Sequence, residues 1–303
     1  MATNRVFVIG HLAADARLDL LKDNTPCMRA SVIVPRSPEH VSAKFLPYAG
    51  ADGRVARNQI PPELKKELND QLQVTTYGPR AAQWVDGLRA GVCVAVDGWT
   101  EARRFFDREV GRYRVTQEIN ANHLIPIDFI GAGPAPVNQV HLVGWMEKDP
   151  LFELLHNAIP CLRLRVRVPR GFHQISAELA PHAAPDGQLR WSDLPHPLRN
   201  RLVDHLAVSV YGQRALLYSR YLRAEAQVAI DGWTEERHYY DREVKRERRV
   251  QEINAAYIVC GPGSDFAAGD AYRERLVAEG SLGEAVAAEA QPAIPEREAV
   301  YGD

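Results

Sequence analysis

The feature that most constrains this chain is that it repeats itself. Asp97-Gly98-Trp99-Thr100-Glu101, followed by Phe105-Phe106-Asp107-Arg108-Glu109-Val110, returns as Asp231-Gly232-Trp233-Thr234-Glu235 and Tyr239-Tyr240-Asp241-Arg242-Glu243-Val244. The same offset of 134 residues carries Gln117-Glu118-Ile119-Asn120-Ala121 onto Gln251-Glu252-Ile253-Asn254-Ala255, and Tyr77-Gly78 onto Tyr211-Gly212. It holds without a gap from Asn4/Asn138 to Asn120/Asn254. The sequence therefore reads as two copies of one module, at 1–130 and 135–261, with an acidic tail at 262–303. A chain of 303 residues is the right size for two such domains.

Within each copy the patterning predicts five short strands. Val6–Gly10 and Val140–Gly144 read as buried strands closed by glycine. Arg29–Pro35 and Arg163–Pro169 alternate and are rich in β-branched residues. In the second copy the alternation puts Arg163, Arg165 and Arg167 on one face, and Leu164, Val166 and Val168 on the other. Leu72–Tyr77 and Leu206–Tyr211 predict a third strand, Val92–Asp97 and Ala226–Asp231 a fourth, and Arg112–Ala121 and Arg246–Ala255 a fifth. A short helix follows the third strand at Pro79–Leu88 and Gln213–Leu222, where Ala81, Trp84, Val85 and Leu88 recur at helical spacing. A further short helix is expected from Pro62 to Asp70, and Ala267–Ala290 could form another in the tail. The long Pro-rich connections at 37–71 and 171–205 are of a length that is usually functional or mobile.

The order β-β-β-α-β-β is that of the OB-fold, a Greek-key barrel whose sheet face and loops bind oligonucleotides or oligosaccharides. The expected fold is all-β: two tandem OB barrels, each of five strands with a helix between strands 3 and 4, plus the tail.

Charge neither announces nor excludes a nucleic-acid partner. Residues 1–134 hold 17 Lys/Arg against 15 Asp/Glu, residues 135–263 the same, and residues 264–303 hold 3 against 9. Only a local basic face could serve a polyanion. The hairpin is where such a face would lie. Arg103, Arg104, Phe105, Phe106 and Arg108, with Arg112 and Arg114 beyond, interleave cations with aromatics. The second copy has Arg237, Tyr239, Tyr240 and Arg242, then Arg246 and Arg248. Alternation sends one aromatic of each pair to each face, so only one need be structural. Trp99 and Trp233 could be stacking platforms or barrel plugs. Trp84 is expected in the core. Asp107/Glu109 and Asp241/Glu243, set among arginines, read as hairpin salt bridges.

The four cysteines include no C-x-x-C pair, and the histidines lack repeat partners, so no metal site or cofactor is expected. Cys27 and Cys161 are expected as small buried apolar residues. Gly-rich phosphate loops, H-E-x-x-H motifs and nucleophile elbows are missing, which argues against an enzyme. No apolar run approaches the roughly 18 residues that span a bilayer. The N-terminus runs straight into a strand, so a cytoplasmic location is expected.

The chain resembles the bacterial-type single-stranded DNA-binding proteins. The resemblance covers both modules. It rests on Asn4-x-Val6-x-Val8-Ile9-Gly10 with Asp15, and its copy Asn138-x-Val140-x-Leu142-Val143-Gly144 with Asp149. It rests further on Val74–Gly78 with Ala81 and Leu88–Gly91, on Val94–Gly98, and on Gln117–Asn120. The resemblance implies bases stacked on aromatics at Tyr77 and Tyr211 and at Phe105 and Tyr239, with Lys and Arg along the strand's path. It implies single-stranded DNA as partner, a homodimer presenting four barrels, and work in replication, recombination or repair. The chain departs from the family in three places. Asp70-Gln71-Leu72 and Asp204-His205-Leu206 lack a Trp at the start of strand 3. The long connection lacks a charged hairpin with its aromatic, and the tail lacks an acidic tip closed by an aromatic. The alternative reading is a tandem adaptor for a protein partner, or an RNA binder. The denser arginine strand favours the second module if only one binds.

Overall fold

The computed structural model describes residues 3–50, 54–128, 134–155, 158–184, 188–199 and 201–279. Six strands belong to the first copy: β1 (Thr3–Leu12), β2 (Arg17–Leu20), β3 (Pro26–Pro35), β4 (Asn69–Tyr77), β5 (Cys93–Asp107) and β6 (Arg112–Pro126). Six follow in the second: β7 (Val137–Met146), β8 (Leu151–Leu154), β9 (Pro160–Pro169), β10 (Val203–Tyr211), β11 (Gln227–Asp241) and β12 (Arg246–Cys260). In each copy five of these close a ring, β1-β3-β4-β6-β5 and β7-β9-β10-β12-β11, with one parallel pairing apiece, β4 with β6 and β10 with β12. That is the OB barrel expected from the strand order.

The sequence reading needs three corrections. Each copy has a sixth strand, β2 or β8, pairing only at the edge of β3 or β9. All four β2 residues are solvent-facing or nearly so, so no buried stripe marked it. The fourth and fifth strands are 15 residues each, because β5 and β6 run on as a two-stranded ribbon beyond the barrel. The helices after the third strand are shorter, α1 being Pro79–Trp84 and α3 Gln213–Tyr221, and a four-residue helix that was not expected, α2 (His196–Arg199), lies in the second long connection. Pro62–Glu67 is a 3-10 turn. In the tail, α4 (Phe266–Ala278) is capped by the Asp265 carboxylate, which accepts from Ala268 N–H at 3.2 Å. It packs on α3, with Gly269 against the Tyr221 ring. Residues 280–290 of the expected tail helix lie outside the described residues.

Each barrel is filled by the inward half of its alternating strands: Val6, Val8, Val32, Leu72, Val94 and Ile119 in one, and Val140, Leu142, Val166, Leu206, Val228 and Ile253 in the other, all at most 1% exposed. Trp84 is only half-buried, packed against this core from α1. All four cysteines are buried and free, and burial pushes the Cys161 thiol up to about 11. The long connections have small apolar clusters of their own, Phe45-Val55-Ile60 in one and Leu179-Leu189-Leu194-Leu202 in the other.

The two copies are joined as an internal dimer. Strands β1 and β7 pair antiparallel with Val6 opposite Val140, and β6 meets β12 where Gln117 faces Gln251. Both are pairs of equivalent residues, so a pseudo-twofold axis passes between them, as in an isologous interface. The side chain of Gln117 accepts from Ala207 N–H of β10 at 2.7 Å, and Gln251 does the same for Gln73 N–H of β4.

The repeated Asp-Gly-Trp-Thr-Glu stretch builds this junction. A β-bulge falls between Asp97 and Gly98, and between Asp231 and Gly232. A Cβ on Gly98 would stand 2.1 Å from the Asn120 carbonyl, so only glycine fits there. The bulge turns Trp99 inward. Asn4 then clamps Thr100 through both backbone groups, at 2.7 and 3.0 Å. Glu101 crosses to the other copy. There Arg170 bridges it at 3.1 Å and Asp204 at 2.6 Å. The mirror triad is Arg36 with Asp70 and Glu235, both at 2.7 Å. All six side chains are nearly sealed from water, and burial pushes the Glu101 carboxyl above its usual range.

Candidate nucleic-acid interface

The β5–β6 and β11–β12 ribbons stand side by side, and alternation gives each an inner face toward the other and an outer face toward solvent. Asp107, Glu109, Arg112 and Arg114 of one meet Asp241, Glu243, Arg246 and Arg248 of the other. Arg114 reaches Asp241 and Glu243, both at 2.7 Å, and Arg248 reaches Asp107 at 2.7 Å and Glu109 at 2.9 Å. Arg112 pairs with Glu243 at 2.7 Å and Arg246 with Glu109 at 2.6 Å. The acidic pairs are hairpin salt bridges, as expected, but they run between the copies. Partial burial tends to raise Asp107 and Asp241, yet Arg248 and Arg114 outweigh it and hold both below the usual carboxylate range. Arg112, Arg114, Arg246 and Arg248 therefore already have carboxylate partners and are not free cations for a phosphate.

The same holds for the arginine strand. Arg163 bridges Glu153 at 2.9 Å and Glu252 at 2.5 Å, Arg165 bridges Glu147 at 2.8 Å, and Arg167 bridges Glu225 at 2.8 Å. The alternation was read correctly, but acids on neighbouring elements neutralise that face. It gives the second module no advantage. Arg103 and Arg237 are likewise paired, with Glu118 at 2.6 Å and Glu252 at 3.0 Å.

The aromatics separate cleanly. Trp99 and Trp233 are 2% and 3% exposed, so they are plugs at the junction rather than open platforms. Tyr77 and Tyr211 are largely covered, their hydroxyls donating to Glu118 at 3.3 Å and Glu252 at 3.4 Å. Phe105 and Tyr239, the positions the resemblance favoured, lie half-buried on the inner face, where Arg114 approaches the Tyr239 hydroxyl at 3.4 Å. Their neighbours point out: Phe106 is 50% exposed and Tyr240 60%. One aromatic of each pair is thus free, but it is the other one.

The outer face of the first ribbon holds the strongest candidate. Phe106 and Tyr113 are cross-strand partners with ring centroids 5.3 Å apart, edge to face. Tyr113 is 60% exposed, and the Arg104 guanidinium lies 4.2 Å from its centroid. Val115 extends the exposed apolar surface. Arg104, Arg108 and Arg242 are exposed without an ion-pair partner among the described residues. A cation over an aromatic beside a second ring can take a base on the ring and a phosphate on the cation.

Sequence reasoning passed over Tyr113, although its place opposite Phe106 follows from hairpin register. It also passed over Trp191, exposed in the second long connection with Arg199 at 5.1 Å from its ring. Trp191 is matched by Arg57 in the first copy, so the repeat gave it no signal. Among the described residues no group of His, Cys, Asp and Glu is placed to hold a metal ion.

No protein-family model matches this sequence, and no curated protein does. Solved structures do. The fold is similar to that of the single-stranded DNA-binding protein from Thermus aquaticus, with a TM-score of 0.56 at 17% identity over 87% of this chain and 97% of that one. A deletion variant of the same Thermus aquaticus protein matches with a TM-score of 0.57 at 18% identity, over 88% of this chain and 97% of that one. What this chain shares with them across nearly its whole described length is the all-β, OB-type architecture.

Proposed function

We propose that this chain binds single-stranded DNA with little regard to sequence, as a binder rather than an enzyme. The observation that carries this reading is the exposed Arg104–Tyr113–Phe106 cluster on the outer face of an OB hairpin. Every base has a face to stack, and each stacked base contributes roughly 1–3 kcal/mol. The likeness to a protein described as binding single-stranded DNA supports it, though fold alone does not carry function. Work in replication, recombination or repair, in the cytoplasm, would follow from such a ligand. Self-association into a dimer of four barrels is supported by the apolar edge strands, where Leu18, Leu20, Leu151, Phe152 and Leu154 are exposed. Light scattering on the full chain tests that part, and a monomer mass would remove it.

A protein-adaptor role is the second reading. It is favoured by the fact that most hairpin arginines, and all three on β9, already have carboxylate partners. Titration of tryptophan emission or anisotropy with dT oligonucleotides of rising length, at low and high salt, separates the two. Saturable binding that weakens with salt supports the first reading, since each phosphate contact releases counterions. No retention at low salt leaves the adaptor.

A further inference from the structure

Each long connection crosses the pseudo-twofold axis and lies over the Tyr–Trp region of the other module. The two crossings end differently. Over the second module, the His40 ring stacks on Trp233 with centroids 4.8 Å apart and planes 2° apart. Leu46 sits against Gly212, with its Cδ1 3.2 Å from where a Cβ would stand. Burial, with Arg36 beside it, lowers His40 to about 4, so the stacked ring is neutral imidazole.

Over the first module the corresponding residues are Gln174 and Ala180. Gln174 is turned away: its amide is engaged by the Gly171 N–H at 2.7 Å and the Asn4 carbonyl at 2.9 Å. Ala180 is too short to do what Leu46 does, and beyond its chain neighbours no atom lies within 4 Å of a Cβ built on Gly78. A cavity of about 170 Å³ results, lined by Tyr77, Trp99, Thr76, Asn122, Gln83 and Ala180 among others. It shares Arg80, Asn122 and His173 with a wider groove of about 530 Å³ that opens to solvent. A cavity of roughly 150 Å³ accepts a benzene ring, so this one has room for a single six-membered ring.

The lining also differs in chemistry. Thr76, Gln83 and Asn122 stand where the second module has Val210, Leu217 and Ala256. Thr76 Oγ1, Asn122 Oδ1 and Trp99 Nε1 are buried without a hydrogen-bond partner. Trp233 Nε1 shares that state, so the distinguishing groups are Thr76 and Asn122. Buried donors and acceptors are costly to leave unpaired, and clustered ones of both kinds need a polar partner.

The geometry points to a pocket in the first module for one pyrimidine base, stacked against Trp99 and Tyr77 and hydrogen-bonded through Thr76 and Asn122. His40 plays the ligand's part in the second module, as a flat nitrogen heterocycle stacked on Trp233. The choice of ligand rests on the proposed nucleic-acid binding, while the pocket itself does not. Arg80 at the shared mouth is placed to meet the attached phosphate.

The test uses the full chain labelled with 15N-tryptophan, with the Trp99 and Trp233 indole resonances assigned by Trp→Phe variants. Two probes are added separately, free thymidine monophosphate and a dT oligonucleotide. The Trp99 resonance is expected to move and that of Trp233 to stay. A response to the oligonucleotide alone identifies the base as part of a bound strand, and a response to the mononucleotide identifies a free-nucleotide site. Ala180→Leu, which copies the second module's plug, should abolish the response. Thr76→Val, which copies a residue the second module already carries, should weaken it and guards against a folding failure of the first variant. A Trp99 resonance unmoved by both probes, with oligonucleotide binding intact by anisotropy, overturns the pocket and leaves the proposed function standing. A Trp99 shift with the mononucleotide, when no oligonucleotide binds at all, does the reverse.

Discussion

The charged residues of the two ribbons' inner faces are the same, and the outer faces are not. Asp107, Glu109, Arg112 and Arg114 recur as Asp241, Glu243, Arg246 and Arg248, and each set needs the other to satisfy its charges. On the outside, Arg104, Phe106, Tyr113 and Val115 become His238, Tyr240, Glu247 and Arg249. The cation–ring–ring cluster is reduced to one exposed tyrosine opposite a glutamate. The difference teaches where each constraint lies. Residues that face the sister copy are fixed by reciprocity, while residues that face solvent are free to specialise.

The largest expected effect comes from the shared part. Arg170→Met strands Glu101 and Asp204 as uncompensated buried charges, and breaking such a pair costs about 3–5 kcal/mol. Urea unfolding should show this loss, and Arg36→Met should match it. A loss in only one of them would break the symmetry argued for the junction. Next come the outer faces. Phe106→Ala with Tyr113→Ala should weaken dT binding by about 1–3 kcal/mol for each stacked base lost, read by anisotropy. Tyr240→Ala should cost less, and an equal loss would erase the distinction between the modules. Grafting sharpens it: Glu247→Tyr rebuilds the ring pair opposite Tyr240 and removes a like charge from the strand's path, so binding should tighten by up to about 1 kcal/mol.

A separate effect is in pH dependence. Burial, opposed by Arg36 and reinforced by Glu235, pushes Asp70 up to about 7 from an ordinary 3.8. The folded chain then holds an extra proton between those values. This carboxyl's contribution is full below the lower value and is lost as pH rises through the upper one. Asp107 and Asp241, held low, contribute above the usual carboxylate range and lose that contribution on acidification. The melting temperature should therefore fall less between about pH 5 and pH 8 in Asp70→Asn than in the parent chain. An unchanged slope would remove Asp70 as the titrating group.

The barrels were legible because their strands alternate and are punctuated by Gly10, Gly78, Gly144 and Gly212. The helix after the third strand was legible for the same reason. Strands β2 and β8 were not, because a four-residue edge strand buries nothing and leaves no stripe. The stretch beyond Glu101 was legible as a hairpin, but not that its strands run on unbroken from the barrel or that its ion pairs reach the other copy. The repeat identified which residues matter but not why. Glu101 is spaced like a site residue, yet an arginine crossing from the other copy makes it structural. Whether an arginine is free or paired depends in part on carboxylates far along the chain, such as Glu252 for Arg163 and Asp107 for Arg248, and no local pattern encodes that.

The pairing of Val6 with Val140 has one more consequence. In a dimer of identical chains, a substitution near the axis appears on both sides at once and must suit both. Here the two sides are separately encoded, so one copy can change alone. Leu46 and Ala180, or Tyr113 and Glu247, can differ without a compromise between them. Covalent fusion of the two barrels thus turns a symmetric assembly into one that can assign each half its own task.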